Sequence, residues 1–160
     1  MKLNIIAFVA LSSLLVLIGA SAVVAEEKKK TKKEIRFEKI ARPADFTKLY
    51  DESPVEELVA YGKQLYDDRT LAPNGLTCND CHNKSRAYKK GFAKPFPHPS
   101  RMAKARAGIK RDIYADEGVQ MCMVIPMSAD PLPWDSKELA AMTAHVLEVD
   151  QPFYREKKGL

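Results

Sequence analysis

The chain has 160 residues, of which 26 are lysine or arginine and 21 are aspartate or glutamate, so that its formal net charge is +5. This excess of positive charge is too small and too scattered to indicate nucleic-acid binding, although it would allow docking on an acidic partner protein. The length suits one domain with a modest core, and the odd number of cysteines, three, requires an explanation.

The N-terminus has the pattern of a secretory signal peptide. Lys2 precedes an almost wholly apolar run over residues 3–20, and the small residues that follow offer a cleavage site after Ala25. The alternative is an uncleaved membrane anchor, since residues 3–25 are just long enough to span a bilayer. We favour cleavage of residues 1–25, which predicts export by the Sec route to a periplasm or an equivalent oxidising compartment, with no membrane attachment afterwards.

Residues 26–50 are expected to form an N-terminal arm without chemistry, which begins with the solvated charge run EEKKKTKK and continues as an extended segment or a short helix. The first clear helix is predicted over residues 53–68, with Ser53 as its N-cap and Glu56 completing a capping box. Its apolar stripe consists of Val55, Leu58, Val59, Gly62, Leu65 and Tyr66. Gly62 costs the helix about 1 kcal/mol relative to alanine, which indicates the close approach of another backbone.

Cys78, Cys81 and His82 follow in the string TCNDCHNK, and their Cys-x-x-Cys-His spacing is the attachment signature of c-type haem. The two thiols would add to the two vinyl groups of one porphyrin, and the adjacent histidine would donate a ring nitrogen to the iron. We expect the other ring nitrogen of His82 to be bonded to a backbone carbonyl. A redox dithiol, a zinc site and a disulfide are the alternatives, but no strand precedes the motif and no second cysteine pair exists.

The stretch over residues 83–120 is predicted to be a long basic loop, with a short helix over residues 101–110. His98 lies in its proline-rich string KPFPHPS, where we interpret it as a loop residue, a neighbour of a haem propionate or an alternative iron ligand. The other candidate neighbours of the propionates are Tyr88, Arg101, Arg106 and Arg111.

The string QMCMVIPM places Cys122 among methionines, shortly before the last predicted helix. A free thiol is vulnerable in an oxidising compartment, whereas ferric iron would bind it as a thiolate. Cys122 is therefore the preferred distal axial ligand of the haem. The alternatives are that Cys122 is a buried inert thiol with Met123 or Met127 as the ligand, or that it forms an intersubunit disulfide. The methionines around the thiol are expected to line the haem face as soft apolar contacts.

The last predicted helix covers residues 136–149, capped by Asp135 or Ser136 with Glu138 reaching back. Its inward stripe consists of Leu139, Met142, Thr143 and Val146. No segment has the alternation of a strand, and no repeat or glycine-rich phosphate loop is present, so the fold class is expected to be all-α.

The string GKQLYDDRTLAPNGLTCNDCH resembles the start of a class I cytochrome c, in which a helix with a Gly-x-x-Leu-aromatic pattern precedes the haem motif. The matching residues are Gly62, Leu65 and Tyr66. The resemblance implies an all-α, class I cytochrome c-like domain over residues 51–155, with an N-terminal extension and a long basic loop. It implies that the first helix crosses the last one at Gly62. It also implies one haem c, bound covalently through Cys78 and Cys81 with His82 as the proximal axial ligand.

The stretch over residues 120–146 resembles the thiosulfate-oxidising cytochromes of the Sox system, in which a Cys-Met pair, a Pro-Leu-Pro string and an Asp-Ser-x-Glu helix start follow one another. The matching residues are Cys122, Met123, Pro131, Leu132, Pro133, Asp135, Ser136 and Glu138. In those cytochromes a cysteine is the distal ligand, so the resemblance implies that Cys122 binds the iron opposite His82. An exported chain with one haem motif and a spare cysteine also resembles the subunits of the heterodimeric NaxLS-type cytochromes of anaerobic ammonium-oxidising bacteria.

These resemblances imply a carrier of electrons or a gas-binding haem protein, and they do not assign an enzyme activity. The expected function is low-potential electron transfer, binding of nitric oxide or carbon monoxide at the ferrous haem, or both. The expected partners are a redox protein and a related cytochrome that completes a heterodimer, and nucleic acid is not among them. The alternatives are a haem subunit of a thiosulfate-oxidising enzyme and an ordinary electron shuttle with a His/Met haem.

Overall fold

The computed structural model describes residues 29–160, so the predicted signal peptide lies outside the described residues. In this part of the chain all regular structure is helical, and the one β-type contact is an isolated antiparallel bridge between His98 and Ile113. The α-helices are α1 (Lys32–Ile40), α2 (Val55–Leu65), α3 (Cys78–His82), α4 (Ala115–Val124), α5 (Lys137–His145) and α6 (Gln151–Lys157). The all-α class is thus confirmed, and no helix within residues 29–160 is long and apolar enough to cross a membrane.

The crossing of α2 and α5 at Gly62 lies at the centre of the main hydrophobic core. A Cβ atom at Gly62 would lie 2.2 Å from the carbonyl oxygen of Ala141 on α5. Glycine is therefore the residue that lets the two backbones come so close. On the same face of α2, Leu58 and Leu65 are buried, and they belong to one apolar cluster with the fully buried Leu139 of α5. The crossing predicted at Gly62 is present.

The beginning of α2 differs from its predicted cap. Pro54 occupies the cap position with an extended backbone, at a ψ of 149°, and makes no side-chain hydrogen bond. This conformation places Ser53 one position too early to cap the helix, so Ser53 Oγ donates instead to the carboxylate of Glu57 at 3.4 Å. The capping box predicted between Ser53 and Glu56 is therefore wrong. Val55 is also 46% exposed and lies outside the buried part of the predicted stripe.

The beginning of α5 is capped by Ser136, one of the two predicted residues. Ser136 Oγ accepts a hydrogen bond from the backbone nitrogen of Leu139 at 3.2 Å. Glu138 does not reach back to this cap, because its carboxylate accepts a hydrogen bond from the hydroxyl of Tyr61 at 3.1 Å. That contact joins α5 to α2 close to the helix crossing.

The C-terminal helix continues beyond its predicted end. A π-helical turn, Val146–Asp150, joins α5 to α6, and the helical backbone runs on to Lys157. Two side chains of α6 tie it to the irregular segment after the Cys-x-x-Cys-His motif. Gln151 donates to the carbonyl oxygen of Phe92 at 2.8 Å, and Arg155 donates to that of Ala93 at 2.7 Å.

The N-terminal arm contains the short helix that was one of its two predicted forms. Thr31 caps α1 and forms a capping box with Glu34. Ile40, at the end of α1, is completely buried in a second apolar cluster with Ala103 and Ile109. The arm from α1 onward therefore packs on the rest of the chain and forms part of the same folded unit.

The stretch predicted as a basic loop over residues 83–120 is more regular than expected. A helical turn with π geometry covers Ala103–Ala107, inside the segment for which a short helix was predicted. α4 begins at Ala115, so the prediction of a loop up to residue 120 is wrong. Its first turn buries Asp116 and Glu117 completely. Because these two residues are acidic, α4 could not be predicted from the spacing of apolar residues.

The two buried carboxylates at the start of α4 are paired with arginines. Arg42, which follows the end of α1, forms a salt bridge with Asp116 at 2.7 Å, and its guanidinium lies 3.5 Å from the centre of the Tyr114 ring. The backbone nitrogen of Arg42 donates to Glu117 at 2.8 Å, and Arg111 donates to the same carboxylate at 2.8 Å. The arm thus holds the first turn of α4 in place.

Replacing Arg42 with methionine should lower the free energy of unfolding by about 3 kcal/mol, because the fully buried carboxylate of Asp116 would lose its partner. Chemical denaturation measures this change. The control is Lys48→Met, which breaks a pair with Asp51 whose side chains are 69% and 62% exposed and should cost less than about 1 kcal/mol. Equal losses in the two variants would contradict a structural role for the Arg42 pair.

Candidate functional site

The Cys-x-x-Cys-His motif forms α3, and the local sequence accounts for this short helix. Thr77 caps it, accepting a hydrogen bond from the backbone nitrogen of Asp80 at 3.2 Å, while the carboxylate of Asp80 accepts one from the nitrogen of Thr77 at 2.9 Å. Cys78 is buried and Cys81 is exposed, and both are free thiols. His82, the last residue of α3, therefore projects from a fixed end of this helix.

His82 and Cys122 face each other from two different helices. Nε2 of His82 lies 3.8 Å from Sγ of Cys122, although the two residues are 40 positions apart in the chain. Metal bonds of about 2.0 Å to nitrogen and 2.3 Å to sulfur would require opposed ligand atoms about 4.3 Å apart. A shift of a few tenths of an ångström would therefore bring this pair to the separation of two axial ligands.

A cavity of about 750 Å³ adjoins this pair, which is a volume within the range of small-molecule and cofactor sites. Its wall is mostly apolar and aromatic. Residues that line it include Tyr66, Cys78, His82, Tyr88, Phe92, Phe96, His98, Met121, Cys122, Met142 and Val146. Cys81 is exposed and lies outside this lining.

The methionines that the sequence offered as alternative ligands occupy different places. Met123 and Met127 are 1% and 2% exposed and belong to the main hydrophobic core, and neither lines the cavity. Met121 does line it, beside Cys122. The expectation that methionines near Cys122 form an apolar lining therefore holds for Met121 and not for the two that follow the cysteine.

Burial sets the protonation of the groups that face the cavity. It raises the pKa of the Cys122 thiol to about 11 and that of Cys78 to about 12. It lowers the pKa of the His82 imidazole. At neutral pH both thiols are consequently protonated and the imidazole is neutral, so that binding of a metal by Cys122 would release the thiol proton.

The second ring nitrogen of His82 does not have the predicted partner. Nδ1 is buried and makes no hydrogen bond to any residue in the described range 29–160, so the expected bond to a backbone carbonyl is wrong. The ring is held by stacking, because the Tyr88 ring lies 4.2 Å from it at an interplanar angle of 24°. From the sequence, Tyr88 is expected only as a neighbour of the propionates, so this stacking contact is a new finding.

His98, Arg101 and Arg106 make one part of the cavity wall polar and basic, and this part is called the basic end below. Nδ1 of His98 lies 3.1 Å from the carbonyl oxygen of Pro99 and must carry a hydrogen, since a carbonyl can only accept. Nε2 of His98 is buried and has no partner among the described residues. Arg101 and Arg106 line the same cavity.

Gly118 is a cavity residue whose role sequence reasoning missed. It lies on α4 one turn before Cys122, on the same face, and a Cβ atom there would meet nothing within 4 Å. A glycine inside a helix costs about 1 kcal/mol, and no neighbouring protein backbone accounts for this one. Because Gly118 has no side chain, the surface of α4 that faces the cavity is flat at this position. Only recognition of α4 as a helix would have placed Gly118 beside Cys122.

The residues of the cavity fit a haem group better than a simple metal ion. They provide two opposed ligand atoms, a thiol at the wall, a flat face at Gly118, and an orphaned imidazole nitrogen on His98 at the basic end. In residues 29–160 no group of three or more His, Cys, Asp or Glu side chains is arranged to hold a metal ion directly. Among these residues Cys78 and Cys81 are therefore not part of a complete ligand set for zinc.

The chain matches no protein-family model, and no characterised protein or solved structure is significantly similar to it.

Proposed function

We propose that this chain is an exported, monohaem c-type cytochrome with a class I-like fold, in which His82 and Cys122 are the axial ligands of the iron. The observation that supports the proposal most directly is the distance of 3.8 Å between Nε2 of His82 and Sγ of Cys122, two residues that line the cavity. The motif over residues 78–82 supplies the attachment chemistry on one side of this pair. Met123 and Met127 do not line the cavity, which argues against either of them as the distal ligand.

Each residue of the motif has a separate task in this proposal. The thiols of Cys78 and Cys81 would each add across one vinyl group, the sulfur forming a C–S bond and the hydrogen passing to the other vinyl carbon. His82 would bind the iron as a neutral imidazole, which agrees with its lowered pKa. Bound haem supplies one-electron chemistry and an iron atom that binds diatomic gases.

Cys122 would determine how the haem responds to an added electron. As a thiolate it stabilises the ferric state, which lowers the reduction potential relative to a thioether ligand. Burial raises the pKa of its thiol to about 11, so the sulfur readily holds a proton when it is not bound to metal. Reduction would weaken its bond to iron, and the ferrous protein would then bind carbon monoxide or nitric oxide at that position.

The basic end of the cavity would hold the carboxylates of the haem. Nε2 of His98 has no partner among residues 29–160, so it offers a polar contact for a haem carboxylate. Arg101 and Arg106 line the same end and carry the matching charge. A redox partner protein and a related cytochrome remain the proposed partners, in a periplasm-like compartment.

Mass spectrometry of the exported protein should show one haem adduct per chain. Cys78→Ala and Cys81→Ala should each leave a single thioether, and the double variant should lose the covalent adduct. Cys122→Ala is the matched control, because it removes the third thiol and should leave both thioethers intact. A mature protein without a haem adduct, produced in a host that attaches haem c, would refute the proposed function.

A further inference from the structure

The proximal imidazole of the proposed haem site lacks the hydrogen bond that usually fixes such a ring. A histidine that binds a metal almost always donates its other ring N–H to a carboxylate, a backbone carbonyl or water, and this bond sets the ring plane. Nδ1 of His82 is buried and has no such partner in the described part of the chain. Some other contact must therefore fix the plane of the ring, by restricting its rotation about the bond that Nε2 would make to the iron.

The aromatic ring of Tyr88 makes that contact. Its centre lies 4.2 Å from the centre of the His82 ring, and the planes differ by 24°. The opposite face of Tyr88 stacks on Phe92, with centres 3.7 Å apart and planes only 2° apart. The three rings form a column that begins at His82, and rotation of the imidazole would drive its edge into the face of Tyr88.

Tyr88 is itself fixed at its outer end and along its edge. Its hydroxyl donates a hydrogen bond to Oδ2 of Asp150, the last residue of the π-helical turn between α5 and α6. The ring of Tyr154, on α6, meets Tyr88 and Phe92 edge-on, at 6.2 and 5.5 Å between centres. π-helical turns are frequently found at functional sites, and this one presents Asp150 to the column. The orientation of the stacked ring thus depends on the C-terminal helix.

We propose that Tyr88 is a positioning residue that sets the plane of the His82 imidazole by stacking, in place of a hydrogen bond at Nδ1. The proposal rests on the proposed function, since it concerns His82 as an iron ligand. It makes the C-terminal helix, through Asp150, part of the support of the haem site. It also leaves the Nδ1 proton of His82 unshared, so that the imidazole donates less charge than one bonded to an acceptor.

The test compares Tyr88→Leu with Tyr88→Phe in the haem-loaded protein. The pattern of haem methyl shifts in the ferric NMR spectrum reports the orientation of the axial imidazole plane. Tyr88→Leu should change the order or spread of these shifts and broaden the ferric EPR signal, whereas Tyr88→Phe, which keeps the stacked ring and loses only the hydrogen bond to Asp150, should change them by much less. Phe46→Leu is the matched control, because it removes an aromatic ring that packs edge-on against Trp134 and does not line the cavity, and it should leave the methyl shifts unchanged.

The outcomes separate this inference from the proposed function. If the wild type carries no covalent haem, the proposed function fails. If the wild type has a low-spin haem and Tyr88→Leu leaves its methyl shifts unchanged, the positioning role alone is overturned. Equal changes in Tyr88→Phe and Tyr88→Leu would also overturn it, since they would assign the effect to the hydroxyl. Should Tyr88→Leu fail to fold, Tyr88→Met offers a second chain without the ring but with flexible bulk to fill its place.

Discussion

Replacing Gly62 with leucine is expected to lower the free energy of unfolding by about 3 kcal/mol, at the upper end of the usual effect of overpacking. A Cβ atom at this position would lie 2.2 Å from the carbonyl oxygen and 2.8 Å from the carbonyl carbon of Ala141. Both are backbone atoms inside α5 and cannot turn away as a flexible side chain would. The helices would have to separate, and this would loosen the core around Leu58 and Leu65.

Gly62→Ala should also destabilise the protein, although alanine favours helices by about 1 kcal/mol over glycine. The clash involves Cβ itself, so even the smallest side chain meets the backbone of Ala141. Ala60→Leu provides the control, since it adds the same side chain to an exposed position of α2 and should change stability by less than about 0.5 kcal/mol. Thermal denaturation of the three variants measures these effects, and an unchanged melting temperature in Gly62→Leu would argue against the close crossing.

The parts of the fold that the sequence predicted depend on short-range patterns. The apolar stripe on α2 and the glycine within it lie in eleven consecutive residues. They predict a close helix crossing even when the partner helix has not been identified. Ser136 similarly marks the start of α5, since a serine before a helical run has few other structural uses there. The end of this helix was not predicted, because a π-helical turn begins at Val146 and no local residue type marks it.

The parts that were missed depend on partners far away in the chain. α4 was hidden because Asp116 and Glu117 look like residues of an exposed loop, while the structure buries both. Asp116 is buried only because Arg42 pairs with it from 74 residues away, and nothing local indicates that pair. Gly118 could not be placed beside Cys122 from the sequence for the same reason. The two residues lie on one face only because the segment is a helix, and that helix was not predicted.

The residues of the candidate site also fall into those that the sequence predicts and those whose contacts it does not. Cys78, Cys81 and His82 are adjacent, so their chemistry could be predicted from spacing alone. Cys122 was predicted from the chemistry of a lone thiol in an oxidising compartment and from a resemblance, and in the structure its sulfur lies near His82 Nε2. The contact of Tyr88 with His82 was not predictable, because neighbours six residues apart in an irregular segment have no fixed relative orientation. The absence of a partner for Nδ1 is likewise a property of packing.

The remaining large effect concerns Cys122, and it follows from the charge of its sulfur. Cys122→Met is expected to raise the reduction potential of the proposed haem, on the order of a few hundred millivolts within the range that axial ligands span. A thiolate offsets charge on ferric iron, whereas a thioether has no charge and favours the ferrous state. The wall around Cys122 is apolar, with Met121 and Val119 beside it, so little solvent would reduce the difference between the two ligands.

Spectra of the two oxidation states provide the first measurement of this change. The ferric wild type should be six-coordinate and low-spin with the signature of a sulfur anion, and Cys122→Met should show that of a thioether instead. Met123→Leu is the matched control, because Met123 is 1% exposed, belongs to the hydrophobic core and does not line the cavity. It should leave both the potential and the ferric spectrum unchanged. An unchanged potential in Cys122→Met would mean that Cys122 does not bind the iron.

Uptake of carbon monoxide by the reduced protein tests the second consequence. The ferrous wild type should bind the gas, because an added electron on the iron would weaken the bond to the Cys122 thiolate. The pKa of the Cys122 thiol is raised to about 11, so the sulfur would take up a proton after it leaves the iron. Gly118, one turn away on the same face of α4, leaves room beside the sulfur. Cys122→Met should block uptake, since a thioether holds ferrous iron firmly. If the reduced wild type stays six-coordinate and ignores carbon monoxide, the gas-binding part of the proposal is wrong and electron transfer is the function that remains.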